Sequence, residues 1–279
     1  MNTDKQLRVV ILSHGGCEHL IELLSDNKRV DLIRVCVESP KARKRSVSEK
    51  LKRSFKYDGA LETLRKFGAS FLGSSTEGSR DLETATDNRL ELINFCEQRG
   101  IQSSEVENYH LPEFKESLRD DKVDLGILYG TNIIRKAVFT IPKLGSINIH
   151  QGLAPHYRGG PTVFWELFNN EDSVGITVHF VAPKVDTGDI IVQESIGLTY
   201  DFERYGLDFN QFLEDSRARL REPSARLMAN AVDMIARGSV ERKAQDTSIG
   251  KRYRIPTFKE KQELIRRLRN RMKKAPEER

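Results

Sequence analysis

The chain has 279 residues, 38% of them apolar, and no apolar run approaches the roughly 18 residues a membrane span needs, which excludes a membrane-spanning class and predicts one large or two modest globular domains. The net charge of +5 is uneven: residues 41–56 carry +7 and residues 251–279 carry +8, leaving −10 elsewhere. Three cysteines, Cys17, Cys36 and Cys96, with no Cys-x-x-Cys spacing, argue against both a disulfide framework and a zinc ribbon.

Residues 7–13 are β-branched and apolar and predict a buried first strand. His14-Gly15-Gly16 turns the chain into an amphipathic helix over 17–24, with Leu20, Ile21 and Leu24 on one face. Strand, glycine turn and helix open a βαβ unit, although Gly-Gly is not the Gly-x-Gly-x-x-Gly fingerprint. Cys17 stands where a helix start would favour a thiolate, yet a packing thiol is the expected role. No signal-peptide pattern precedes Leu7, so the expected address is the cytoplasm.

A second strand is expected over 30–38, helices over 43–54 and 57–67, and a loop through Gly73-Ser74-Ser75. Residues 87–99 predict a helix that Gly100 closes, 106–110 a short strand, and 112–119 a helix with Pro112 in its first turn. His110 is read as structural. A third buried strand, 123–130, runs into Thr131-Asn132-Ile133-Ile134. Residues 162–169 predict a helix with Trp165 and Phe168 inward, and residues 189–199 a strand. One or two helices over 208–237, broken near Pro223, an extended piece over 239–244 and a basic amphipathic helix over 257–274 complete the chain.

The chemistry gathers at Ile147-Asn148-Ile149-His150, a strand end that breaks into a loop punctuated by Gly152, Pro155, Gly159, Gly160 and Pro161. Successive strand side chains alternate faces, so Asn148 and His150 leave the same side. After an alternating segment, 175–181, a tight Asp186-Thr187-Gly188 turn presents a carboxylate. Amine attack on a carbonyl creates an oxyanion and an ammonium together, and so calls for hydrogen-bond donors and a proton sink. Asn148 donates without ionising, and a carboxylate favours a charged His150. His150, His156, His179 and Asp186 fit no standard zinc spacing, so no metal is expected.

Asn148-Ile149-His150, Leu153 through Thr162, Gly175-Ile176-Thr177-Val178-His179 and Asp186-Thr187-Gly188-Asp189-Ile190-Ile191 together resemble the 10-formyltetrahydrofolate-dependent formyltransferases, closely over 122–195 and more loosely over 7–37. The resemblance implies an α/β, Rossmann-like, mostly parallel sheet with helices on both faces, plus a helical C-terminal extension. Its domains would be a catalytic one over 1–200, with an insertion at about 40–85, and a mainly helical region over 201–279. It implies catalytic roles for Asn148, His150 and Asp186, and a folate pocket lined by Asn132, Ile133, Ile134, Phe139, Ala182 and Val185.

It further implies 10-formyltetrahydrofolate as formyl donor and a primary amine as acceptor, expected to be a small molecule such as an amino-sugar nucleotide. Aminoacyl-tRNA as acceptor, or hydrolysis of the donor, is the alternative. Where purine-pathway members of the family hold the acceptor's phosphate on a Gly-Ser-Asn turn, this chain has Gly16, Cys17 and Glu18, and the carboxylate would repel a phosphate. The basic clusters are read as solvated helix faces in preference to a nucleic-acid footprint. No membrane partner is expected, and the oligomeric state stays open.

Overall fold

The computed structural model describes residues 5–39, 47–59 and 77–274. The expected loop at Gly73-Ser74-Ser75 and residues 60–67 of an expected helix lie outside the described residues. In chain order the first half runs β1 (Leu7–Ser13), α1 (Glu18–Ser25), β2 (Val30–Glu38), α2 (Val47–Tyr57), α3 (Glu77–Gln98), β3 (Ser103–Val106), α4 (Pro112–Asp120), β4 (Leu125–Tyr129), α5 (Lys136–Phe139) and β5 (Ser146–His150). The second half runs β6 (Tyr157–Gly159), α6 (Phe164–Asn169), β7 (Ser173–Phe180), β8 (Ile190–Gly197), α7 (Phe202–Tyr205), α8 (Phe209–Arg219), α9 (Arg221–Ala236), β9 (Lys251–Tyr253) and α10 (Phe258–Lys274).

Seven strands form one sheet in the order β3-β2-β1-β4-β5-β7-β8. From β3 to β5 all pairings are parallel, while β7 is antiparallel to both β5 and β8. The order reverses between β1 and β4, the kind of crevice where open α/β sheets take their ligands. The apolar run of β1 is unbroken because both faces are covered. Val9 and Ile11 join a cluster with Leu20, Ile21 and Leu24 of α1 and Met228 and Val232 of α9. Val10 and Leu12 join Phe114 and Leu118 of α4 and Val138 and Phe139 of α5 on the other face. Each such buried aliphatic side chain contributes roughly 1.5–3 kcal/mol.

Some expected elements shift. The helix expected from 87 starts at Glu77, and the strand expected over 106–110 lies earlier, at Ser103–Val106. The break among the C-terminal helices falls at Leu220 rather than at the proline: Pro223 sits in the first turn of α9, where its missing N–H leaves no intrahelical bond unmade. The extended piece over 239–244 is reduced to one antiparallel bridge between Ile190 and Lys243. β9, unexpected from sequence, pairs in parallel with β6 as a separate two-stranded sheet.

Candidate active site

β5 supplies the first two groups. Ile147 is fully buried in the core, and Ile149 packs against the same cluster. The antiparallel register then sets Asn148 opposite His179 and His150 opposite Thr177. Opposed side chains in such a pair share a face, and the Asn148 amide Nδ2 lies 3.3 Å from His179 Nε2. Thr177, fully buried, accepts from the Ala154 N–H at 3.1 Å and donates to the Gly152 carbonyl at 2.8 Å, fastening the loop that follows β5.

Asp186 arrives by a turn back from β7. Its φ of +53° is left-handed, a strained conformation for a residue with a side chain, and a Cβ at Gly188 would overlap the Phe180 carbonyl. Thr187 ties the turn by donating from its hydroxyl to the Lys184 carbonyl at 2.9 Å. The Asp186 carboxylate is held 3.5 Å from His150 Nδ1 and 3.5 Å from His179 Nε2, and accepts the Gly159 N–H at 2.9 Å.

The partners settle the tautomers. A carbonyl only accepts, so His150 Nε2 carries the proton given to Tyr157 O at 2.8 Å, and Nδ1 is left facing Asp186. A side chain at Gly152 would cut across that bond. By the same reasoning His179 Nδ1 donates to Phe180 O at 2.7 Å, turning Nε2 toward Asn148 and Asp186.

Burial pushes the Asp186 carboxyl up, but the two imidazoles beside it, His179 and His150, and the Gly159 N–H outweigh burial and hold it at about 2. For His150 the balance goes the other way. Burial lowers its pKa below the ordinary 6.5, outweighing the pull of Asp186 and the bond to Tyr157. The expectation that the carboxylate would keep His150 charged is therefore corrected: desolvation outweighs the pull of Asp186 and favours the neutral imidazole.

Next to these groups opens a cleft of about 300 Å³, at the small end of the range for ligand pockets. Asn132, Ile133, Ile134, Ala182 and Val185 line it, as do Asn148, His150 and Asp186. Phe139 does not. It is buried in the apolar cluster beneath, with Val138 and Leu128, so its assignment to the pocket wall is corrected. Ile133 is 69% exposed, so its apolar side chain is open to a ligand entering the cleft. His150 also borders a space of about 10 Å³, enough for one water, lined by Gln151, Tyr157, Trp165, Glu166 and Tyr253 among others.

In the sequence His179 stands as a possible metal ligand and within the family-like segment 175–179; the structure makes it the fourth member of the polar cluster, beside Asn148, His150 and Asp186. Its alternation with Thr177 was visible, but its pairing with Asn148 depends on register. Among the described residues no group of three or more His, Cys, Asp and Glu is placed to hold a metal ion. Cys17, at the start of α1, is buried and its thiol is pushed up to about 12, chiefly by desolvation, so it is no nucleophile. His110 Nε2 accepts the Arg135 N–H at 3.1 Å, and His156 is exposed.

The sheet and its polar cluster define a Rossmann-like α/β protein with a ligand cleft at the carboxyl ends of its strands. Residues 65–205, half of the chain, match the formyl transferase family, and the chain belongs to that family. Over 155 residues it is 32% identical to a methionyl-tRNA formyltransferase of Citrifermentans bemidjiense, covering 55% of this chain and 46% of that protein. The chain thus spans about half the length of the curated relatives it matches. Its fold is shared with a sugar N-formyltransferase from a Shewanella species, with a TM-score of 0.57 and 15% identity over 94% of this chain and 87% of that one. A phosphoribosylglycinamide formyltransferase from Anaplasma phagocytophilum shares it too, with a TM-score of 0.56 and 20% identity over 87% and 97% of the two chains.

Proposed function

We propose that the chain transfers a formyl group from 10-formyltetrahydrofolate to a primary amine. One observation carries this reading: beside a cleft, the Asp186 carboxylate sits 3.5 Å from Nδ1 of His150, with the Asn148 amide on the same face. The cleft, lined by Ile133, Ile134, Ala182 and Val185, would take the donor.

The amine nitrogen attacks the formyl carbon, and Asn148 donates to the oxygen as it gains charge. His150 Nδ1 takes the proton of the new ammonium, with Asp186 stabilising the imidazolium through Coulomb attraction. The same proton passes to N10 as the bond from the formyl carbon to N10 breaks, so the products are the formamide and tetrahydrofolate.

The acceptor is proposed to be a small-molecule amine. Aminoacyl-tRNA is the second reading, favoured by one observation. The described parts of the two basic segments meet, since Lys261 of α10 donates to the Tyr57 carbonyl at the end of α2 at 2.8 Å. A screen of amino-sugar nucleotides, glycinamide ribonucleotide, amino acids and aminoacyl-tRNA with the formyl donor tests both readings. Transfer to tRNA alone removes the first, and formate release independent of any amine makes the protein a hydrolase.

A further inference from the structure

We infer that residues 247–254, which lie beyond the stretch matched to the family, form a strap that positions His150 and Asp186, with Tyr253 as its anchor. The inference rests on the reading of those two residues as the acid–base pair. Each is hydrogen-bonded to the backbone of β6: His150 donates to the Tyr157 carbonyl, and Asp186 accepts the Gly159 N–H. Whatever sets the place of β6 therefore sets the ring of one residue and the carboxylate of the other.

Among the described residues β6 has a single strand partner, β9, with Tyr157 opposite Lys251, Arg158 opposite Arg252 and Gly159 opposite Tyr253. Lys251 N donates to His156 O at 2.9 Å, and Gly160 N to Tyr253 O at 3.0 Å. Around this ladder, Arg158 Nη2 reaches Thr247 O at 3.2 Å, and Trp165 Nε1 reaches Arg254 O at 2.8 Å. The Tyr253 ring stacks on Tyr157 with centroids 5.1 Å apart and meets Trp165 at 5.0 Å, while Asn169 Nδ2 donates to its hydroxyl at 3.1 Å. The approach is close enough to need glycines on both sides. Gly159 and Gly250 have φ of +68° and +73°, and a Cβ on Gly250 would overlap the Pro155 carbonyl.

A strap so tightly coupled passes any displacement straight to the pair, and a misplacement near 1 Å costs about 100-fold in rate. Tyr253 does not line the donor cleft, so its loss should act on turnover rather than on donor binding.

Tyr253→Leu and Gly250→Ala, made separately in the full chain, test this. Both should lower kcat by roughly 10- to 100-fold while leaving KM for the formyl donor unchanged. In both, the ring ¹⁵N resonances of His150 should shift, because the bond from Nε2 to Tyr157 O is altered. Tyr253→Phe keeps the stacking and should retain near wild-type turnover. If Tyr253→Leu does not fold, Gly250→Ala, at an exposed turn, decides alone. Folded variants with wild-type kcat and unshifted His150 resonances overturn the inference. Should the wild-type chain formylate no amine at all, the proposed function fails, while the His150 resonances still decide whether the strap positions the ring.

Discussion

A neutral imidazole next to an ionised carboxylate has consequences that titration can read. His150 must be unprotonated at Nδ1 to take the amine's proton, and its pKa lies below 6.5, so the acid limb of kcat is expected to break below 6.5. In Asp186→Asn the attraction that raises the His150 pKa is gone. The limb should move to still lower pH, and kcat should fall by on the order of 100-fold or more, both visible in a pH–rate profile. Asn148→Ala removes the proposed oxyanion donor and should cost roughly 100- to 1,000-fold in kcat with the melting temperature nearly unchanged. Stability follows the same groups with a definite sign. Both folded pKa values are depressed, so their contributions are present above the ordinary 6.5 of His150 and 3.8 of Asp186 and are lost as pH falls through the folded values. Glu166 is opposite: burial raises it from 4.5 to about 7, so its contribution is present below 4.5 and lost as pH rises through about 7. Glu166→Gln should therefore stabilise the protein by about 3 kcal/mol at alkaline pH and little in acid, measured by denaturant titration at both.

Single elements show why parts of this site were readable in advance and parts were not. The period of two in β5 is a local property, so Asn148 and His150 could be placed on one face from residue order alone. The turn bearing Asp186 was legible through Gly188, whose backbone lies against Phe180. Gly188→Ala should force that turn outward, destabilising the fold by about 1–3 kcal/mol and separating Asp186 from His150, a loss that calorimetry and turnover would both register. β9 left no trace, because Lys-Arg-Tyr is short, largely exposed and without apolar alternation, and its partner is the backbone of a distant loop. The exact place of β3 and the first ten residues of α3 escaped for a related reason: Ser-Ser-Glu-Val lies at the sheet edge, and residues 77–86 carry too few apolar side chains to show a helical period.

Across the whole molecule, the helices after residue 201 share the apolar cluster of the sheet, with Phe212, Leu213, Met228, Val232, Leu264 and Leu268 packed against the same core as Ile11 and Ile176. Leu264 and Leu268 are fully buried in the otherwise strongly basic α10. Leu264→Ala should cost about 2–5 kcal/mol in chemical denaturation, with α10 and the strap before it loosening together. Residue order by itself determined the layered α/β architecture, since unbroken apolar strands need cover on both faces, and it determined which side chains leave β5 together, since a strand's alternation is set by the covalent backbone. The tertiary structure alone decided that His179 stands across from Asn148, that Phe139 belongs to the core, that a strand from residues 251–253 pairs with β6, and that burial lowers the His150 pKa. Register and desolvation depend on groups brought together from distant parts of the chain, and neither is a property of any one segment.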